Sequence, residues 1–168
     1  MNNQVIIKKE QKLVPSGELI VSKTDLKGRI LYCNDIFIEL SGYEERELLG
    51  KPHNIVRHPD MPRIIFKFLW ENIKDGKEVA AYVKNLSKDG AYYWVIAYIS
   101  PSFNGNGEIV GYHSVRLKPK LEAVSKIEII YSDLIRNEKE GGIKQSQTFL
   151  ESLLKEKGVS YEEYILSL

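Results

Sequence analysis

The sequence predicts an α+β fold: a five-stranded antiparallel sheet with short helices on one face, followed by C-terminal helices. Three observations carry this. Two β-rich runs come first and three come later, short helical segments fill the stretch between them, and the apolar spacing turns helical after Lys120. In that order the helices must cover one face of the sheet, which leaves a cup able to hold a ligand. The chain divides into a leader at 1–17, a main unit at 18–118 and a helical extension at 119–168.

The leader mixes short apolar stretches with lysines, Pro15 and Gly17, which reads as extended or loosely helical chain capping the main unit. Glu18 to Lys23 and Arg29 to Cys33 flank the turn sequence Thr24-Asp25-Leu26-Lys27-Gly28 and form a first hairpin. Asn34-Asp35 ends the second strand and can cap a short helix from Ile36 to Ser41. Gly42 closes that helix, and Tyr43 to Leu49 offers another turn. Pro62 suits the first position of a longer helix to about Lys74, whose Ile65, Phe66, Leu69, Trp70 and Ile73 share one face. Strands follow at Glu78–Leu86, Tyr92–Ser102 and Glu108–Leu117, separated by Ser87-Lys88-Asp89-Gly90 and Asn104-Gly105-Asn106-Gly107. Leu121, Val124, Ile127, Ile130 and Leu134 mark an amphipathic helix ended by Gly141-Gly142. Ser146 can cap the next, which Gly158 terminates, and Ser160 with Glu163 has the capping-box spacing for a last short helix.

With 24 Lys and Arg against 23 Asp and Glu, the net charge is only +1. The basic footprint that nucleic-acid binding needs is missing. Cys33 is the single cysteine, so neither an internal disulfide nor a cysteine zinc cluster can form, and a reducing, cytoplasmic compartment is expected. No secretory signal and no apolar run of membrane-spanning length occurs, so direct membrane insertion is not expected. Neither a nucleophile paired with a base nor a dinucleotide-binding glycine fingerprint is present. A noncatalytic protein without a metal site is the expectation.

The run His53-Asn54-Ile55-Val56-Arg57-His58-Pro59-Asp60-Met61-Pro62 concentrates imidazoles, a guanidinium, an amide and a carboxylate between prolines. Pro59 removes a donor and holds His58 away from helical angles, so this polar stretch reads as a loop walling a pocket. Each member has a plainer reading. The histidines can bond loop carbonyls, Arg57 and Asp60 can form an ordinary ion pair, and Trp70 on an apolar helical face can be core.

The element order, with Thr24–Gly28, Ser41-Gly42-Tyr43, Leu48-Leu49-Gly50-Lys51-Pro52 and Lys88-Asp89-Gly90-Ala91-Tyr92-Tyr93-Trp94, resembles the PAS domain family over about residues 18–118. The stretch Pro52 to Pro62, followed by a helix carrying Trp70, is similar to the PAS sensors of bacterial aerotaxis and energy-taxis receptors. That resemblance implies noncovalent FAD in the cup, a redox state reported to the chemotaxis machinery, and signalling in trans to a membrane-bound chemotaxis receptor through its HAMP region. Homodimer contacts would use the leader or the C-terminal helix. It also implies cofactor-binding roles for Asn34, His53, Arg57, His58, Asp60, Phe66, Trp70, Asn85 and Arg116.

By comparison with the related flavin light sensors, Asn85 would meet the pyrimidine edge and Arg116 the reactive end of the ring. Their second sheet amide is replaced by Val95 or Ile96. Their photoreactive cysteine is absent, since Asn54-Ile55-Val56-Arg57 occupies its segment. FAD needs cations or N–H groups for its pyrophosphate, amides for the ring edge and bulky side chains for its faces, and this chain offers all three. Two alternatives stay open from the residues: a haem-binding gas sensor using His113, the one sheet histidine, and a cofactor-free interaction module.

Overall fold

The computed structural model describes residues 5–168. Its strands are β1 (Ile20–Thr24), β2 (Ile30–Cys33), β3 (Val79–Leu86), β4 (Tyr92–Phe103) and β5 (Ile109–Leu117), in the order β2-β1-β5-β4-β3 with every pairing antiparallel. Each predicted strand is present within two residues of its expected ends. β5 returns to lie beside β1, so the chain's first hairpin and last three strands close one continuous sheet. Registers Ile20↔Arg116, Ala97↔Arg116 and Ala81↔Ala97 put these residues in one row across the sheet, and side-chain alternation keeps the row on one face.

That face is covered by the short elements between β2 and β3. Helix α1 (Asp35–Ser41) starts where Asn34 accepts from the Phe37 N–H at 3.3 Å and stops at Gly42, whose φ of 69° ends the helix in the left-handed region. Helix α2 (Glu45–Leu48) carries a capping box between Glu44 and Glu47, and a 3₁₀ turn follows at His53–Val56. Helix α3 (Arg63–Lys74) begins one residue after Pro62, which precedes the helix instead of opening it, and buries Ile64, Ile65, Leu69 and Ile73.

The extension folds onto the opposite side. Helix α4 (Leu121–Lys157) is interrupted at Gly141 (φ −142°) and Gly142 (φ 73°, ψ −170°), and α5 (Tyr161–Ser167) carries the Ser160/Glu163 capping box. The expected stop at the two glycines is real, but helix resumes at once. Ser146 lies inside it, fully buried, and does not cap it. Tyr131 on α4 donates its O–H to the Tyr82 carbonyl at 2.7 Å, and its ring lies 6.1 Å from that of Trp94. Tyr82 and Trp94 alternate with Val83, Tyr93 and Val95, so α4 and α5 cover the outer face of β3 and β4 while α4 also lies against the back of α3. The leader is extended: the Tyr92 N–H bonds the Glu10 carbonyl at 2.9 Å and the Lys12 N–H bonds that of Tyr92 at 2.7 Å. The expected leader also includes residues 1–4, which lie outside the described residues.

Leu134 is fully buried in the same core as the sheet residues. Leu134→Ala should therefore cost about 2–5 kcal/mol in urea unfolding of the whole chain. An unaltered midpoint would mean that the extension folds independently of the sheet.

Candidate functional site

Between the sheet and the short helices lies a cavity of about 270 Å³. β1 contributes Ser22 to its wall, β3 Val83 and Asn85, β4 Ala97 and Ile99, and β5 Tyr112, Ser114 and Arg116, all on the alternating inward positions. α3 contributes Phe66, Leu69, Trp70 and Ile73, and the loop contributes His53, Asn54 and Arg57. The rim turn comes close: a Cβ on Gly28, whose φ is 75°, would stand 2.9 Å from the Trp70 ring. Glycine is required there on both counts.

The electrostatic centre is Arg116, only 3% exposed. Its Nε–H donates to Ser114 Oγ at 3.1 Å, and Nη2 donates to Ser22 Oγ and to His53 Nε2, the latter at 2.8 Å. Every one of these partners is neutral, and the Nη1 group has no hydrogen-bond partner among the described residues. Burial pushes the Arg116 pKa down to about 10, which leaves the guanidinium charged at neutral pH. A buried cation facing only neutral dipoles carries an uncompensated desolvation cost of several kcal/mol. The Phe37 ring lies 5.0 Å from the guanidinium carbon and stacks on His53 at 5.6 Å, packing against both.

Arg116 can only donate, so His53 Nε2 must accept and the imidazole must be neutral. Burial first, and the Arg116 charge second, lower the His53 pKa to about 3. At the other end Arg57 lies 4.2 Å over the Phe66 ring, donates Nη2–H to the Met61 carbonyl at 3.0 Å and is bridged through its backbone to Asn85. Trp70 meets Tyr112 edge-on at 5.5 Å.

Six of the nine candidate residues therefore line one cavity: His53, Arg57, Phe66, Trp70, Asn85 and Arg116. Asn34, His58 and Asp60 are not in its wall. Asn34 is consumed in structure, accepting from the Val21 and Phe37 N–H groups and donating to the Leu19 carbonyl. His58 is buried against Tyr92 and accepts the Asp60 N–H on Nδ1 at 3.0 Å, which makes it neutral. Burial and then the Lys84 charge lower its pKa. Asp60 pairs with Lys84 Nζ at 2.9 Å; burial alone would raise its carboxyl, and the Lys84 hydrogen bond and charge outweigh that and lower it. Asn54, Ser22, Ser114 and Tyr112 line the cavity without having been singled out. The signal for two of them was present, since 112 and 114 stand at even spacing from Arg116 on one strand face.

The family described as PAS fold matches residues 30–116. The chain belongs to the PAS family. It is 37% identical over 134 residues to the aerotaxis receptor of Escherichia coli (strain K12), covering 80% of this chain and 26% of that protein. It is 27% identical to a nitrogen fixation regulatory protein of Klebsiella pneumoniae, covering 60% of this chain and 20% of the relative. This PAS chain thus spans about a quarter of the aerotaxis receptor and less of the other. Among solved structures, the light state of the blue-light photoreceptor Aureochrome1 LOV superposes with a TM-score of 0.60 at 20% identity, covering 68% of this chain and 91% of that one. A light-oxygen-voltage domain from a flavin-analogue study superposes with 0.58 at 21% identity, covering 73% and 88%. These likenesses make the chain a PAS sensory domain with the light-oxygen-voltage fold. No helix among the described residues is long and apolar enough to cross a membrane.

Because its folded pKa lies below the free value of 6.5, His53 binds fewer protons folded than unfolded between about pH 3 and 6.5. Its contribution to stability is thus present at neutral pH and lost on acidification, at a limiting slope of about 1.4 kcal/mol per pH unit. NMR titration of the His53 ring should show no midpoint between pH 5 and 8. A midpoint near 6.5 would refute the neutral imidazole facing Arg116.

Proposed function

We infer that this chain is a noncatalytic flavin sensor, with FAD as its cofactor, that reports redox state to a membrane-bound chemotaxis receptor in trans. The observation that carries the reading is the buried, uncompensated Arg116 guanidinium with a free N–H, set in a cavity that also has an amide and two aromatic walls. Such a site asks for a flat ligand with an electron-rich edge. The cavity is small against the ~300–1,000 Å³ usual for whole ligands, which suits a ring system with its remaining arm outside the cup.

Flavin, when bound, supplies a ring whose charge and protonation change with the electrons it holds. The chain's own groups do the rest. Asn85 can both donate to and accept from a pyrimidine edge. Phe66 and Trp70 would keep water from the ring, and Arg57, which lines both the cup and the cleft beside it, would meet the phosphates. Arg116 holds a fixed positive charge at the inner end, so it binds most tightly to whichever ligand state is most negative there, while neutral His53 and Ser22 keep it in place. A change in that preference, worth even one hydrogen bond or about 1 kcal/mol, can rebalance two arrangements of nearly equal energy. The resemblance to the aerotaxis receptor supports chemotaxis as the output, with the receptor's HAMP region as the contact and homodimerisation through the leader or C-terminal helix as the accompanying assembly.

The haem reading has less support. α3 carries no histidine, and His113, although it borders the cavity, bonds Ser100 Oγ at 3.1 Å from a strand position that alternates with the inward Tyr112 and Ser114. The cofactor-free reading leaves the Arg116 charge without any counterpart.

Freshly purified protein should show flavin absorption bands and release FAD on denaturation, while a colourless protein that takes up no added FAD would end this reading. Arg116→Gln, Trp70→Ala and Asn85→Ala should each lower flavin occupancy, Arg116→Gln by at least tenfold, with the circular dichroism of a folded sheet retained; undiminished pigment in all three removes the site. A tenfold loss corresponds to about 1.4 kcal/mol, well within one charge-assisted hydrogen bond.

A further inference from the structure

Helix α3 begins without a side-chain cap of its own, because Pro62 before it carries no acceptor. The Ile64 N–H is met instead by Glu138 Oε1 at 2.9 Å, a carboxylate 74 residues later in the chain, on α4. A negative group at a helix N-terminus is favoured by the hydrogen bond and by the helix dipole together. Glu138 also lies in a cleft with Asn54, Arg57, Arg63 and Lys139, between the loop and α4.

Arg57 belongs to both spaces, lining the cup and this cleft. Its Nη2–H holds the Met61 carbonyl, three residues before the amide that Glu138 caps; burial lowers the Arg57 pKa, and the Glu138 charge acts against that shift. Two hydrogen bonds joined by the short backbone segment from Met61 to Ile64 therefore lead from the cup wall through Arg57 to α4. The backbone of Arg57 is tied to Asn85, so a ligand that draws on the guanidinium moves the side chain against a fixed anchor.

The geometry points to Glu138 as a positioning residue that sets how firmly α4 docks on α3 according to what occupies the cup. The inference rests on the flavin reading for the identity of the occupant. It supplies a route that the cup alone lacks, since α4 contributes no side chain to the cavity wall. When a ligand recruits Arg57, the Met61 carbonyl loses its donor, the start of α3 relaxes, and the Glu138 cap responds. By linkage the effect is reciprocal: loosening α4 must alter ligand affinity by the same factor.

The test uses the full chain, with FAD as the probe and hydrogen exchange of residues 121–140 as the readout. In the wild type, FAD loading should change exchange there by about fivefold or more. Glu138→Ala should abolish that difference and shift the FAD dissociation constant by a similar factor, whereas Glu128→Gln, exposed on the same helix, should alter neither. A cap with no role in transmission would raise exchange in Glu138→Ala but leave the FAD-dependent difference at its wild-type size, and that result overturns the proposal. If Glu138→Ala fails to fold, Glu138→Gln is judged by the same criterion, since the amide keeps an acceptor for Ile64 and loses the charge facing Arg57. If the wild type binds no FAD, the flavin reading fails by itself, and the link is decided on the protein alone. Arg57→Ala must then raise exchange at 121–140, and unchanged exchange refutes it.

Discussion

The site depends on a charge that the fold buries without neutralising. Arg116 stands on β5, the central strand, which joins the first hairpin to β4 and β3, so its guanidinium projects from the middle of the sheet. Ser114, Ser22 and His53 satisfy its geometry but not its charge. That arrangement explains several neighbours at once. His53 must stay neutral to accept, Phe37 packs on both His53 and the guanidinium, and the cavity-facing Val83 and Ala97 are small enough to leave room in front. A core built for stability alone would place an aliphatic side chain at 116.

How far the sequence discloses this depends on the kind of signal. The strands and their order were legible because turn sequences such as Asn104-Gly105-Asn106-Gly107 punctuate β-rich runs, and α3 because its apolar residues recur at helical intervals. The polar loop was legible as a site only as a whole. Within it, Arg57 and His53 turn inward while His58 and Asp60 turn toward Lys84 and Tyr92, and nothing in the residue types distinguishes the two pairs. The dividing line is set by backbone pairing, the bridge from Arg57 to Asn85 and the His58 N–H to the Lys84 carbonyl, which only the folded chain fixes. Asn34 illustrates the same limit, since an Asn at the end of a strand serves equally as a helix cap or a ligand, and here the cap consumes it.

The extension carries a further lesson about faces. The expectation that helices cover one face holds for the elements between β2 and β3, whereas α4 and α5 take the other. β3 is consequently enclosed on both sides, which its run of apolar residues from Val79 to Val83 already suits, because a strand facing solvent on one side would alternate. The outer helices are therefore neighbours of the cavity-lining strand and in contact with α3, one layer away from the cup.

The interruption in α4 sets how those helices are held. Gly141 and Gly142 leave the helical region entirely, and Gln145 reaches back across the gap to Asn137 and Glu140 with side-chain bonds alone. With the backbone ladder broken there, the residues beyond 142 keep their place through their own burial, Ser146, Leu150, Tyr161 and Ile165 each packing inward, so the two halves of α4 are anchored separately.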